Sequence, residues 1–477
     1  MAQISNMMLL LPEIVLLGFA CLILVVDTFS TDPARRITYV LSQLALIITL
    51  GMVFYLHTGA TAFAFGDVFI SDPMSSALKA MIALYGLVLF LYSFEYLNKQ
   101  EWVKGEYFVL GLFAILGTMV LVSAYSMITV YLGLELLSLS LYAMVAMNRD
   151  SASATEAAMK YFVLGALASG MLLYGISILY GITGTFQLNE LNQQILQHSA
   201  QTGLLVFGLV FIIVGIAFKL GAVPFHMWVP DVYQGAPTAV TMFVGSIPKI
   251  AAFAMAIRLL VNGLEPLMTN WQTILIILAI LSMGIGNITA IAQSNIKRLL
   301  AYSTIAHIGF LLLGIIAGSQ QGYAASMFYV ITYSLMSMGA FGIVILLSRK
   351  DFESDMLEDL KGLSDRNPWF AFIMLILMFS LAGVPPFVGF WAKWFVLKEL
   401  VASGFVWVAA AAVFFAIIGA YYYLRIIKLM YFDKADKTPA LDATAQMQVV
   451  LSLNGIALLI IGLSPGLLMA LCLSSLL

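Results

Sequence analysis

Three lysines and one glutamate carry the chemistry that this sequence offers. Glu135 lies in "YLGLELLSLS", Lys249 in "VGSIPKIAAF" and Lys393 in "VGFWAKWFVL", while Lys219 opens "KLGAVPFHMWVPD". All four stand in long apolar runs of a chain that is 62% hydrophobic and only 10% charged. An ionisable group at membrane depth costs at least a few kcal/mol, so it is a functional candidate by default. A pocket for a solute would gather its polar groups in one place. A line of titratable groups spread over several helices instead suits a proton, which hops between side chains and waters. Lysine fits this role because desolvation loosens its proton and a nearby carboxylate holds it. The plainer readings are a structural ion pair for Glu135 and snorkelling for the lysines, easiest for Lys393.

The elements that position these groups are apolar runs long enough to span a bilayer. About fourteen are counted, at 9–29, 37–57, 74–95, 107–123, 125–147, 157–182, 203–229, 237–261, 272–291, 298–318, 323–348, 369–399, 404–431 and 449–475. They are spans one to fourteen below. Lys and Arg concentrate in the loops after odd spans: Arg35 and Arg36, Lys99 and Lys104, Arg149, Lys297 and Arg298, Arg349 to Arg366, and Lys434 and Lys437. By the positive-inside rule those loops face the cytoplasm and both termini face outward. At 1.5 Å per residue, Glu135 and Lys249 then lie ~15 Å and ~18 Å from either membrane face, Lys219 lies ~24 Å from the outer face, and Lys393 lies toward that face.

Two spans break themselves. Span seven carries "KLGAVPFHMWVPD", with Gly221 and Pro224, and span twelve carries "LAGVPPFVGFWAKW", with Gly383, Pro385 and Pro386. Proline removes a backbone donor and disturbs the preceding turn. Freed backbone groups at membrane depth need protein or water to satisfy them, and a hydrated pocket beside Lys219 is expected. The breaks lie five spans apart, so the two copies cross in opposite directions, as in inverted-repeat transporters. Two unrelated proline kinks are the alternative.

Secondary candidates are weaker. Lys160 stands four residues after Glu156, the spacing of a surface helix pair. His226 either relays protons or caps backbone, and His307 either relays or hydrogen-bonds within the bundle. Lys297 and Arg298 mark the inner interface, and Arg258 reads as a snorkelling side chain. Cys21 and Cys472 lack metal-ligand spacing, and no CxxC pair or Gly-rich phosphate loop occurs, so no cofactor or metal is expected. A formal net charge of −2 gives nucleic-acid binding no support. The first run has Glu13 where a signal peptide carries basic residues, and reads as a retained span.

Three stretches, "PFHMWVPDVYQGAPTAVTMFVGSIPK" (224–249), "NIKRLLAYSTIAHIGF" (295–310) and "SLAGVPPFVGFWAKW" (380–394), resemble the antiporter-like, proton-translocating subunits of respiratory complex I. These are related to subunits of multi-subunit sodium/proton antiporters, the competing reading, together with membrane-bound hydrogenases. The resemblance implies an all-α polytopic membrane fold. Flanking helices would occupy 1–106, two inverted five-helix bundles 107–262 and 263–432, and a final loop and helix 433–477. It also implies a Glu135–Lys219 ion pair, Lys249 as central relay and Lys393 near the outer exit. It implies membrane-arm partners: antiporter-like subunit M, small subunits K, J and A, and the lateral helix of subunit L. It places the chain in the lipid bilayer of the bacterial inner membrane, as part of a translocase whose NADH oxidation and quinone reduction occur elsewhere.

Overall fold

The computed structural model describes residues 2–100, 103–350, 352–434 and 444–476, so Lys437 lies outside the described residues. Thirteen described helices are long and apolar enough to cross a membrane. The expected span twelve is a further crossing made of two halves, Pro368–Ala382 and Val388–Ala402. Span seven runs from Thr202 to Leu220 and then breaks before a short helix, Trp228–Gly235. Span eight, Thr238–Gly263, has a second interruption at Ser246, next to Pro248, and ends in a π-helical turn over Ile257–Gly263.

Spans eight, ten (Ile296–Ile316) and eleven (Gln320–Leu347) form the buried axis, with 94–100% of their apolar windows inside the chain. Spans one (Leu11–Phe29), two (Arg36–Leu56), six (Ala152–Thr183) and thirteen (Val406–Tyr431) bury only 33% and present the rest outward. A helix apolar on every side belongs in the interior. Lipid supplies no hydrophobic drive between helices, so close packing does the work, and small residues permit it. Spans four (Gly105–Val122) and five (Met127–Val145) meet at Gly117 and Gly133, where a Cβ would come within 2.5 Å and 2.8 Å of partner backbone nitrogens. Spans nine (Glu265–Ile291) and ten meet in the same way at Gly286 and Gly309.

The fold departs from an all-helical expectation at one edge. Ala62–Ala64 and Phe69–Ser71 pair as an antiparallel hairpin, and Phe69 also bridges to Ala124. The polar stretch after span six forms an amphipathic helix, Leu188–Gln197, with Leu188, Leu191 and Ile195 buried. Gln187 Nε2 ties that region to the hairpin through the Gly66 carbonyl, 2.7 Å away.

Candidate functional site

The two breaks have the same backbone. In span seven Gly221 takes φ +84°, and its N–H and that of Ala222 both return to the Ala217 carbonyl. In span twelve Gly383 takes φ +85°, and its N–H and that of Val384 both return to Phe379. Positive φ at glycine closes each half-helix with bonds that satisfy part of its last turn. The remaining carbonyls at the negative end of the helix dipole need donors. At the first break Lys249 Nζ reaches the Leu220 carbonyl at 2.8 Å, and Trp228 Nε1 reaches Phe218 at 3.0 Å. At the second, Lys393 Nζ reaches Ala382 at 2.8 Å and Leu381 at 3.2 Å. Of the two ways expected to satisfy such groups, protein or water, lysine side chains supply donors at both ends. Each ammonium also faces an aromatic ring, Trp228 or Phe310, 5.2 Å from its centroid.

Lys219 sits in the last turn before Gly221 and is 5% exposed. Its direct partner is Ser138 Oγ at 2.9 Å, rather than the expected Glu135. Glu135 lies almost one turn earlier on the same helix, with Oε1 buried and without a hydrogen-bond partner. A cavity of about 10 Å³, room for about one water, separates spans five, six and seven beside Ser138 and Lys219. A second cavity of about 10 Å³ joins Lys393, His307, Asn287, Tyr422 and Tyr423. His226 is half-buried within the first break, with Nδ1 lacking a partner, and Pro224 beside it is exposed.

Separate polar contacts made by span eleven lie between the two regions. Ser334 Oγ bonds the Ser246 carbonyl, three residues before Lys249, at 3.2 Å. Tyr333, adjacent to Ser334, bonds Thr304 at 2.7 Å. His307 Nδ1 contacts Tyr329 Oη at 2.6 Å and its Nε2 contacts Tyr423 Oη at 3.0 Å, while Tyr423 continues to Ser303 at 2.5 Å. Hydroxyls can both give and accept a proton, which sets these groups apart from the apolar residues around them. Sequence reading missed these tyrosines and serines because nothing in an apolar run marks which of its hydroxyls meet.

The other expected residues fall in ion-pair clusters. Lys160 binds Glu156 at 2.8 Å, as its spacing implies, and also Asp231 at 2.7 Å. Asp231 further binds Arg298 at 2.8 Å. Burial would raise the Asp231 carboxyl, but hydrogen bonds and charge from Lys160 and Arg298 outweigh it and hold the group below the usual range. Lys297, in the first turn of span ten, is buried in the protein and bonded to the Ala236 carbonyl at 2.9 Å and to Glu353 at 3.0 Å. Glu353 also accepts from Tyr96 and Thr238. Arg258 does not snorkel. It is 2% exposed and grips Asp72 with two 2.8 Å bonds. Glu13 and Lys79 form a further buried pair at 2.5 Å between spans one and three (Pro73–Lys99). Both were visible in the sequence, but only the packing of span one on span three turns them into partners.

Comparison with known proteins decides the family. The chain is 55% identical to NADH-quinone oxidoreductase subunit N of Thioalkalivibrio sulfidiphilus (strain HL-EbGR7), over 98% of both chains. It is also 55% identical to the subunit of the same name from Thiobacillus denitrificans (strain ATCC 25259 / T1), over 97% of this chain and 96% of that one. The chain belongs to the family of NADH-quinone oxidoreductase subunit N. The family model described as "NADH:quinone oxidoreductase/Mrp antiporter, TM" matches residues 124–419. A chain of respiratory complex I from Thermus thermophilus, solved with bound aureothin, superposes with a TM-score of 0.82 at 32% identity, over 96% of this chain and 98% of that one. A chain of the Mrp complex from Dietzia sp. DQ12-45-1b gives 0.87 at 18% identity, over 99% and 97%, a likeness of fold alone. The subunit N family, not the sodium/proton antiporters, is therefore the functional reference. Its members are antiporter-like, proton-translocating membrane subunits that work within a larger complex.

Proposed function

We propose that this chain carries protons from cytoplasm to periplasm along Lys219, Lys249 and Lys393, with Glu135 holding the charge on Lys219 through space. NADH oxidation and quinone reduction in other subunits drive the movement. What supports the route is the cluster of buried hydroxyls between the two regions, in which His307 touches Tyr329 and Tyr423 and lines the small cavity that holds Lys393. Protons enter near Lys219, where the first one-water cavity lies, and His307 passes them toward Lys393. His226, Lys160 and Lys297 flank the entrance. Lys160 and Lys297 act there mainly by orienting Asp231 and the 353 loop. The two bundles at 107–262 and 263–432 work as inverted halves, with 1–106 and 433–477 bracing them. The neighbours are subunits M, K, J and A and the lateral helix of subunit L, in the bacterial inner membrane, with both termini periplasmic.

The decisive experiment is proton pumping by the assembled complex in vesicles, read beside quinone reductase activity. Lys249→Ala is expected to stop pumping; full pumping in a correctly assembled complex removes Lys249 as an obligatory carrier. The orientation has its own check. In intact cells an impermeant thiol reagent should reach a cysteine at Gln193 and spare one at Glu358, and the reverse pattern inverts the route.

A further inference from the structure

Both broken helices end on an aliphatic residue whose carbonyl is held by a lysine ammonium. Leu220 precedes Gly221 and is bound by Lys249; Ala382 precedes Gly383 and is bound by Lys393. The two lysines come from different places. Lys249 is on span eight, while Lys393 is on the second half of span twelve itself. The matching residue two positions before the glycine is Lys219 in one break and Leu381 in the other. What recurs is therefore the cap and not the sequence position of the lysine. Glycine at each cap keeps the space clear. A Cβ on Gly383 would lie 2.9 Å from Lys393 Cδ and 3.1 Å from its Nζ, and one on Gly221 would lie 3.8 Å from Lys249 Nζ.

We propose that Lys249 and Lys393 are removable caps, so that the proton on each ammonium fixes the geometry of its helix break. An ammonium is attracted to carbonyls at a helix C-terminus through both hydrogen bonding and charge. A neutral amine keeps two weak donors and loses the charge. When the proton moves on, the carbonyl of Leu220 or Ala382 loses its charged partner at membrane depth, where an unsatisfied group is costly. The break then rearranges until another proton returns. Lys219 stands two residues before Gly221 at the first break, and His307 lines the same small cavity as Lys393 at the second. Proton transfer and helix movement become one event at each break. This rests on the proposed proton route but adds a mechanical consequence to it.

A thiol reporter separates the two ideas. Val223 is 3% exposed within the first break, and Cys472 is buried elsewhere, so Val223→Cys in a Cys21→Ser background gives a reporter that is shielded while the break holds its shape. In assembled complex, Lys249→Met removes the cap and is expected to raise maleimide labelling at position 223 by about tenfold. That is the shift allowed by losing one charged hydrogen bond. Lys249→Arg keeps a permanent cation and should restore the slow rate while failing to pump. Unchanged labelling with Lys249→Met overturns the cap, whatever pumping does. Fast labelling together with intact pumping leaves the cap standing and removes the proton route instead.

Discussion

The first and second breaks reach the same backbone by different supports. The first is held by a lysine from a neighbouring span, an indole N–H and a following segment tied by ion pairs to spans six and ten. The second is held by a lysine from its own chain segment, and that segment is fastened by Trp391 Nε1 to the Gly462 carbonyl. Both regions use a lysine at the break, supplied in the first by another span and in the second by the same span. The same physical solution, a capped glycine end, is thus reached with lysines placed on different helix segments.

The largest expected effect tests the packing of the second break. Gly389, six residues after Gly383, has no room for a side chain, because a Cβ would lie 1.7 Å from the Ser380 carbonyl. Gly389→Ala should cost more than the about 1–3 kcal/mol of ordinary overpacking, since backbone must move. Assembled complex, measured on native gels, should largely vanish. The corresponding first-break change, Met227→Ala, lies on an exposed side chain and should assemble normally. Equal assembly of both variants would erase the contrast.

Next comes the order of the two regions along the route. Glu135→Gln removes the carboxylate near Lys219, and His307→Ala removes the ring between Tyr329 and Tyr423. If the regions act in series, either change alone should abolish most pumping, while Glu135→Asp keeps part of it. Near-normal pumping with one of the pair would mean parallel or partial routes.

Acid should separate the regions less sharply. Asp231 and Glu353 tie down the segment after the first break, and both are held below their ordinary values of 3.8 and 4.5. For Glu353, burial opposes this and is outweighed by Lys297 and by hydrogen bonds from Tyr96, Thr238 and Lys297. A lowered carboxylate stabilises above its unfolded pKa and loses that contribution as pH falls through the folded value. Hydrogen exchange in residues 228–238 should therefore speed up as pH drops below those ordinary values, after correction for intrinsic rates. Residues 388–402 should change less. Matching changes in both segments would show that the ion pairs do not set the local stability.

The smallest effect concerns Trp228. Trp228→Phe keeps a ring under Lys249 but drops the bond to Phe218, so heat stability of the complex should fall by about 1 kcal/mol. Trp228→Leu, which loses both contacts, should fall further. If the two variants are equally stable, the ring face contributes nothing to the cap.

Much of this protein follows from the sequence by itself. Apolar length determines the crossings, because a bilayer demands about 20 apolar residues per helix. A glycine followed closely by Val-Pro marks the breaks, because no continuous helix tolerates it cheaply. Lysines at 219, 249 and 393 announce themselves, since a charge in an apolar run needs a reason. Which atoms those charges touch was decided only by tertiary structure. Lys219 chooses Ser138, Arg258 finds Asp72 from more than 180 residues away, and Glu13 meets Lys79 across two spans. The set of tyrosine contacts has no sequence signature, because periodicity identifies a helix but not the neighbour that its polar face will meet. Those contacts arise when spans eight, ten and eleven bury every side, leaving each polar atom to find its partner inside the bundle.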